Sequence, residues 1–126
     1  MSVWKPAGYP SLSPYLICAE PEAVIAFLQT VFGAEVVRRF DRPDGGLIHG
    51  ELRLDDSVVM ISGGATEFGA TVVHLHVYVS DAQKVFDRAV AAGAEVVRAP
   101  ERQTDDDDLR GGFRDPAGHT WWVATQ

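Results

Sequence analysis

Side chains that could bind a metal ion or a small molecule recur at every second position of two short stretches of this chain. They are His49, Glu51 and Arg53 in "LIHGELRL", and His74, His76 and Tyr78 in "VVHLHVYV". Because successive side chains of a β-strand point to opposite faces, each trio is predicted to share one face of a strand. The three histidines and the glutamate are then either ligands of one divalent metal ion or polar groups that hydrogen-bond to one another in a wet cleft.

The spacing of these residues favours one of the two interpretations. Neither trio matches a known metal-ligand motif, so we expect no metal cofactor and favour polar groups in a wet cleft. One divalent metal ion, bound by a rearranged set of the same residues, is the alternative that stays open.

A repeated hexapeptide indicates which elements position these residues. "GAEVVR" occurs at residues 33–38 and again at 93–98. Each copy follows a stretch with apolar residues at helical spacing, and each glycine stands where a helix favours a left-handed residue at its end. Each "AEVVR" is rich in β-branched residues and is predicted to be a strand. One strand precedes each helix and two more follow each copy, so the order β-α-β-β-β is predicted twice.

This repeat divides the chain into four parts. We expect an N-terminal arm over residues 1–11, one βαβββ module over 12–62, a Gly-rich connector over 63–71 and a second module over 72–126. The predicted fold class is α+β, with two tandem βαβββ modules. Their curved mixed sheets form a cleft, and the helices lie on the outside.

The cleft is predicted to be lined by the sheet faces that the helices leave uncovered. On the third strand, Ile48 is assigned to the helix-covered face, opposite His49. The predicted ligand-binding residues are Tyr15, His49, Glu51, Arg53, Met60, His74, His76, Tyr78 and Trp122. Aromatic area combined with a few polar groups suits a small organic ligand. The alternative for Trp122 is a register one residue away, with Trp121 facing the cleft instead.

Charge and composition limit the classes of binding partner that the protein can have. The net charge of −7 argues against nucleic acid and against anionic membrane surfaces, both of which select basic proteins. The single cysteine, Cys18, permits no disulfide within the chain, and no stretch approaches 18 apolar residues. We therefore expect a cytoplasmic protein with no membrane partner.

The ordered segments "FLQTVFGAEVVRRF", "LDDSVVMIS" and "FRDPAGHTWWVAT" resemble the vicinal oxygen chelate superfamily, which includes glyoxalase I, bleomycin-resistance proteins and extradiol dioxygenases. They are most similar to its PhnB-like branch. The resemblance implies a homodimer. It also implies that metal-using members take ligands at the positions of Ser13, Met60, His74 and Trp122. His74 alone of these is a plausible ligand for a catalytic metal ion.

Three functions are considered for this pattern. We expect a protein that binds or sequesters an aromatic or amphipathic small molecule, with an antibiotic among the candidates and no catalysis. The alternative is a metal-dependent lyase, isomerase or dioxygenase of the same superfamily. A metal-free enzyme that uses Glu51 or a histidine as its base is a third possibility.

Overall fold

Two four-stranded sheets, each with one helix, make up the chain. The computed structural model describes residues 4–63 and 70–126. The first module contains β1 (Tyr15–Cys18), α1 (Pro21–Phe32), β2 (Glu35–Asp41), β3 (Leu47–Leu54) and β4 (Ser57–Gly63). The second contains β5 (His74–Tyr78), α2 (Ala82–Ala91), β6 (Glu95–Glu101), β7 (Leu109–Arg114) and β8 (Thr120–Thr125). No helix in these described ranges is long and apolar enough to cross a membrane.

The two sheets have the same topology. Their strand orders are β1-β4-β3-β2 and β5-β8-β7-β6, in which the first and last strands of each module pair in parallel and the other pairs are antiparallel. The predicted α+β fold with tandem βαβββ modules is confirmed. The structure adds one residue, Gly63, to the last strand of the first module, and most of the predicted connector, residues 64–69, lies outside the described residues.

Local sequence signals account for both helices. Pro21 occupies the start of α1, where its missing N–H needs no partner, and Gly33 ends the helix in the left-handed conformation at φ +66°. At the start of α2, the Asp81 side chain accepts a hydrogen bond of 3.0 Å from the backbone N–H of Lys84. The predicted glycines at the helix ends are confirmed, since Gly33 follows α1 and Gly93, at φ +95°, lies just beyond α2.

The helix-covered faces of both sheets contribute to one hydrophobic core. Phe27 and Phe32 of α1 pack against Phe113 of the second sheet, with ring centroids 5.9 and 6.2 Å apart, and Phe32 also contacts Trp121 at 5.1 Å. Arg88 of α2 donates to the carbonyl of Val31 at the end of α1, at 3.1 Å. Because Phe113 and Trp121 are almost fully buried, truncating either would cost about 3–5 kcal/mol. The two modules are therefore joined through their helix-covered sides.

One residue assignment from the sequence is wrong. Leu47, at 2% exposure, enters the core, whereas Ile48 is 46% exposed. Phe40 pairs with His49 and Asp41 pairs with Leu47, so Ile48 is an extra residue on β3 with no partner on β2. This bulge breaks the simple alternation that had placed Ile48 on the helix-covered face.

The turn between β7 and β8 is organised by a buried carboxylate. Asp115, at 5% exposure, accepts hydrogen bonds from the backbone N–H groups of Ala117 (2.8 Å) and His119 (3.1 Å). Its other oxygen accepts a bond of 2.9 Å from the indole Nε1 of Trp121. This one side chain both shapes the turn and satisfies the polar atom of the largest core residue.

Replacing Asp115 by asparagine tests that role. With the asparagine oxygen kept on the backbone N–H groups, its NH2 group would face the indole N–H of Trp121, so two donors would oppose each other. We therefore expect the free energy of unfolding to fall by about 1–3 kcal/mol. Urea denaturation of the wild type and of Asp115→Asn measures the change. A Trp121→Phe background removes the indole donor, and Asp115→Asn should cost clearly less there. Equal costs in the two backgrounds would show that the indole bond is unimportant.

Candidate functional site

The uncovered face of each sheet carries a row of four residues that are paired directly across the strands. Row 1 is defined as Tyr15, Met60, Glu51 and Arg38, in strand order β1-β4-β3-β2. Row 2 is defined as His76, Trp122, Gly112 and Arg98, in strand order β5-β8-β7-β6. The two rows occupy equivalent places in the two modules, so they show what each module offers to a ligand.

Trp122 lies flat across row 2. A Cβ atom added to Gly112 would come within 2.6 Å of the six-membered ring of Trp122, so the indole rests on the space that this glycine leaves. On the other side, the Trp122 Nε1 donates to Nδ1 of His74 at 3.0 Å, and the two rings are only 11° from parallel. Trp121, by contrast, is 1% exposed in the core. The structure thus places Trp122 on the uncovered face, where its ring and that of His74 form a nearly planar surface, here called the Trp122 platform.

The remaining polar residues of this face hold one another in place. Arg110 donates from Nε to Nε2 of His76 at 3.1 Å and forms an ion pair of 3.1 Å with Asp108. Tyr78 donates to the same Asp108 carboxylate at 2.7 Å. His74, His76 and Tyr78 are all exposed, with Tyr78 at 63%. The face of the second sheet is therefore open, and its polar groups are fixed before any ligand arrives.

The first sheet carries a chain of hydrogen bonds instead of a platform. Tyr9 donates to Oε1 of Glu51 at 2.5 Å, and Oε2 of Glu51 lies 2.8 Å from Nε2 of His49. His49 Nδ1 lies 3.3 Å from the hydroxyl of Tyr15. Burial alone would raise the pKa of Glu51, but the bonds from Tyr9 and His49 outweigh it and hold that pKa below its usual value. Glu51 is therefore an ionised carboxylate at neutral pH.

The N-terminal arm covers part of this first face. Besides the Tyr9 bond, the carbonyl of Gly8 accepts a hydrogen bond of 2.9 Å from Arg53. The hydrogen bond to Glu51 raises the pKa of Tyr9. Trp4 stays 75% exposed and does not close over the sheet. Met60, in the middle of row 1, is half-buried.

The predicted site residues fall into two separate groups. One group is Tyr15, His49, Glu51, Arg53 and Met60, and the other is His74, His76, Tyr78 and Trp122. Within the described ranges, no hydrogen bond, ion pair or ring contact joins a member of one group to a member of the other. The sequence pattern predicted one shared lining, and the structure distributes these residues over two sheet faces.

The residues present do not fit the divalent metal ion that the resemblance would supply. Ser13, Met60 and Trp122 offer no imidazole or carboxylate at three of the four family positions. At the fourth, Nδ1 of His74 already accepts a hydrogen bond from Trp122. Among the described residues, no three His, Cys, Asp or Glu side chains are grouped to hold a metal ion. One ring nitrogen of His74 and one of His76 are instead engaged with the Trp122 indole and the Arg110 guanidinium.

Two arginines that the sequence did not single out complete the rows. On β2, Val36 pairs with Leu52 and Arg38 with Glu51, so Val37 is an extra residue. On β6, Val96 pairs with Phe113 and Arg98 with Gly112, so Val97 is extra in the same way. Each bulge turns the arginine from the helix-covered side to the uncovered side. The repeated "VVR" was the available signal, but the bulge that it encodes is not visible in a period-2 pattern.

The remaining reactive or ionisable residues noted in the sequence are held in contacts within the fold. Cys18 is buried, and desolvation followed by the charge of Asp115 raises the pKa of its thiol to about 11. His119 is 1% exposed and receives a hydrogen bond of 3.3 Å from the backbone N–H of Val73. In the acidic run 105–108, Asp107 and Asp108 both pair with Arg110. These contacts account for Cys18, Asp107 and Asp108 as parts of the fold, whereas Nε2 of His119 is buried without a hydrogen-bond partner among the described residues.

Comparison with known proteins agrees with this architecture. An uncharacterised protein of Mycobacterium tuberculosis is 39% identical over 123 residues, covering 89% of this chain and 72% of its own length. TioX from Micromonospora sp. ML1 superposes with a TM-score of 0.77 at 25% identity, covering 90% of this chain and 96% of TioX. The fosfomycin resistance protein FosX from Listeria monocytogenes gives a TM-score of 0.72 at 17% identity, covering 93% of each chain, which shows a shared fold.

A family model matches most of the chain. The match runs over residues 12–123, which contain both rows and nearly all of the two βαβββ modules. The chain therefore belongs to the Glyoxalase/Bleomycin resistance protein/Dioxygenase superfamily.

Proposed function

We propose that this protein binds a flat aromatic or amphipathic small molecule on the Trp122 platform, without a metal ion and without turnover. The observation that carries the proposal is the half-buried indole on the uncovered face, held in place by Gly112 beneath it and by His74 beside it. A fixed aromatic surface binds planar ligands with little loss of side-chain entropy. The polar groups of His76 and Tyr78 then orient the ligand from the adjacent strand.

Sequestration of an antibiotic is a specific form of this proposal. The family description includes bleomycin resistance proteins, and FosX is a fosfomycin resistance protein. Binding alone suffices for such a role, and the face of the second sheet offers area and hydrogen bonds but no grouped metal ligands among the described residues. We further propose that the chain belongs to the PhnB-like branch, on the segments "FLQTVFGAEVVRRF" and "FRDPAGHTWWVAT".

Substituting Trp122 tests the platform. We expect wild-type protein to bind the neutral planar probe 2-naphthamide with one site per platform. Trp122→Ala should weaken that binding at least about tenfold, because the stacking surface is lost. Gly112→Ala should have a similar effect, since its Cβ would displace the indole. Isothermal titration calorimetry measures the affinities.

The matched control for that experiment is Trp4→Ala, which removes another tryptophan that is 75% exposed on the arm. It should leave probe affinity unchanged. Circular dichroism of each variant verifies the fold. The proposal fails if Trp122→Ala binds the probe as the wild type does, or if Trp4→Ala and Trp122→Ala weaken binding equally.

Metal content tests the competing metal-dependent enzyme. We expect protein expressed without a metal-binding tag, in medium supplemented with zinc, iron, manganese and nickel, to contain each metal at well below one equivalent per chain. The physical reason is that one imidazole nitrogen of His74 and one of His76 already accept hydrogen bonds, from Trp122 and Arg110 respectively, and that no three potential ligands are grouped among the described residues. Mass spectrometry of the digested protein measures the metals. Close to one equivalent of a single metal would contradict the expectation.

We also propose a homodimer in which a second copy supplies the opposite wall of the cleft. The two groups of site residues do not meet within the described part of one chain. The face of the first sheet exposes large side chains, with Phe40 at 50% and Tyr15 at 51%. Apolar surface of this kind is commonly covered by a partner. If the uncovered face of the first sheet in one copy packed opposite the uncovered face of the second sheet in the other copy, each such pair would enclose one cleft.

Light scattering tests the assembly. At micromolar concentration we expect a mass of twice the 13.7 kDa of one chain. Phe40→Asp should shift the mass toward the monomer, because it would bury a charge in the interface. The exposed substitution Val90→Asp on α2, away from both rows, serves as its control. A monomeric wild type would overturn the proposed dimer, but it would not contradict ligand binding on the Trp122 platform.

A metal-free proton-transfer enzyme is the second candidate function. It is favoured by the hydrogen-bonded chain Tyr15–His49–Glu51–Tyr9, in which an ionised carboxylate orients an imidazole toward a half-exposed phenol. Such an arrangement can accept a proton at Nδ1 of His49 and stabilise the resulting imidazolium. Retained binding but lost turnover in Glu51→Gln, for any substrate found, would support it.

A further inference from the structure

We infer that the molecule bound by the Trp122 platform carries an anionic group, and that Arg98 binds this group beside the platform. The ligand class is a planar aromatic or heteroaromatic acid. The inference rests on the proposed function, since it names the chemistry of the ligand at that same site. It adds a specificity-determining residue that lies outside the set chosen from the sequence.

The position of Arg98 is the first support. The extra residue Val97 shifts the pairing so that Arg98 stands opposite Gly112 rather than Gly111. Without the bulge, Arg98 would share the helix-covered face with Val96, which pairs with the buried Phe113. With it, the guanidinium carbon lies over the Trp122 ring, 5.7 Å from its centre. A cation at this position is attracted by the ring face, so it is within reach of a charged group on a ligand that stacks on the same indole.

The charge around Arg98 is the second support. The other two arginines of this face have carboxylate partners: Arg110 pairs with Asp107 and Asp108, and Arg114 pairs with Glu95 at 2.7 Å. Glu101, the remaining carboxylate of β6, lies in register with Arg110. Within residues 4–63 and 70–126 Arg98 forms no ion pair, and it is exposed. Among the described residues, carboxylates therefore balance the charges of Arg110 and Arg114, whereas none pairs with the Arg98 guanidinium.

Comparison of the two rows is the third support. In row 1 the residue opposite the repeated arginine is Glu51, and the charge of Arg38 contributes to holding the Glu51 pKa low. In row 2 the same place is occupied by Gly112. The first module thus supplies its own carboxylate next to its arginine, whereas the second module has a glycine there, covered by the Trp122 ring. An acid on a stacked ring would fill the role that Glu51 has in row 1.

The geometry of guanidinium groups favours a carboxylate or a similar oxyanion. Arginine presents parallel N–H donors that match two oxygen atoms, and such charge-assisted bonds are stronger than neutral ones. Because β6 pairs with β7, on which the Trp122 ring rests, an acid group at the β6 edge of a stacked ring would meet Arg98 there. The net charge of −7 weakens long-range attraction of anions, so the contact with Arg98 has to be short-ranged.

A pair of isosteric probes tests the inference. We expect wild-type protein at pH 7.5 to bind 2-naphthoate about 10- to 100-fold more tightly than 2-naphthamide, measured by isothermal titration calorimetry. Arg98→Gln should bring this ratio close to one while leaving the affinity for the amide unchanged. Arg98→Lys, which keeps the charge but loses the paired donors, should give an intermediate ratio.

Arg114→Gln serves as the matched control. It removes an arginine of the same face that is already paired with Glu95, and it should preserve the preference for the acid. Equal affinity of the wild type for acid and amide, or an unchanged preference in Arg98→Gln, overturns the inference and leaves the Trp122 platform in place. Failure of the wild type to bind either probe at millimolar concentration overturns the proposed function as well.

Discussion

The shared core between the two modules decides which surfaces are left for a ligand. Phe27 and Phe32 of α1 fill the space above Phe113 and Trp121 of the second sheet, so both sheets use their helix-covered faces to stabilise the fold. Burial of aromatic area is the dominant favourable contribution in such a core. The side chains with binding or acid–base chemistry then lie on the opposite faces, where they do not have to stabilise the core.

On those opposite faces, the same backbone presents two different surfaces. Row 1 combines Glu51 with Tyr9 and His49 in a closed set of hydrogen bonds, and the arm covers part of it. Row 2 is open, with an indole that lies flat because its neighbour on β7 is a glycine. The contrast explains why ligand binding is proposed for the second sheet, while the acid–base alternative is proposed for the first.

Much of this arrangement follows from the sequence, for identifiable reasons. Pro21, Gly33 and Asp81 mark helix ends through local backbone chemistry, so the helices could be placed without knowledge of the packing. Trp122 could be assigned to the uncovered face because β8 alternates regularly. Ile48, Arg38 and Arg98 could not be assigned, because each lies at or next to a bulge that one extra residue introduces. A bulge depends on how a strand pairs with its neighbour, and the alternation of residues within one strand does not reveal that pairing. The grouping of residues across strands was equally out of reach, since the contact between Tyr9 and Glu51 joins positions 42 residues apart.

The presence of Glu51 in one module and of Gly112 at the equivalent register position of the other has a wider meaning for how such a protein can acquire new ligands. A duplicated scaffold that keeps its arginine in both halves retains a cation in each, while the residue opposite determines whether a carboxylate of the protein or a guest stands next to that cation. In the first half, Glu51 forms hydrogen bonds with Tyr9 and His49, so the polar groups of that sheet face are engaged with one another. Selectivity can thus diverge between the halves through single side chains, with the backbone and the folding core left untouched.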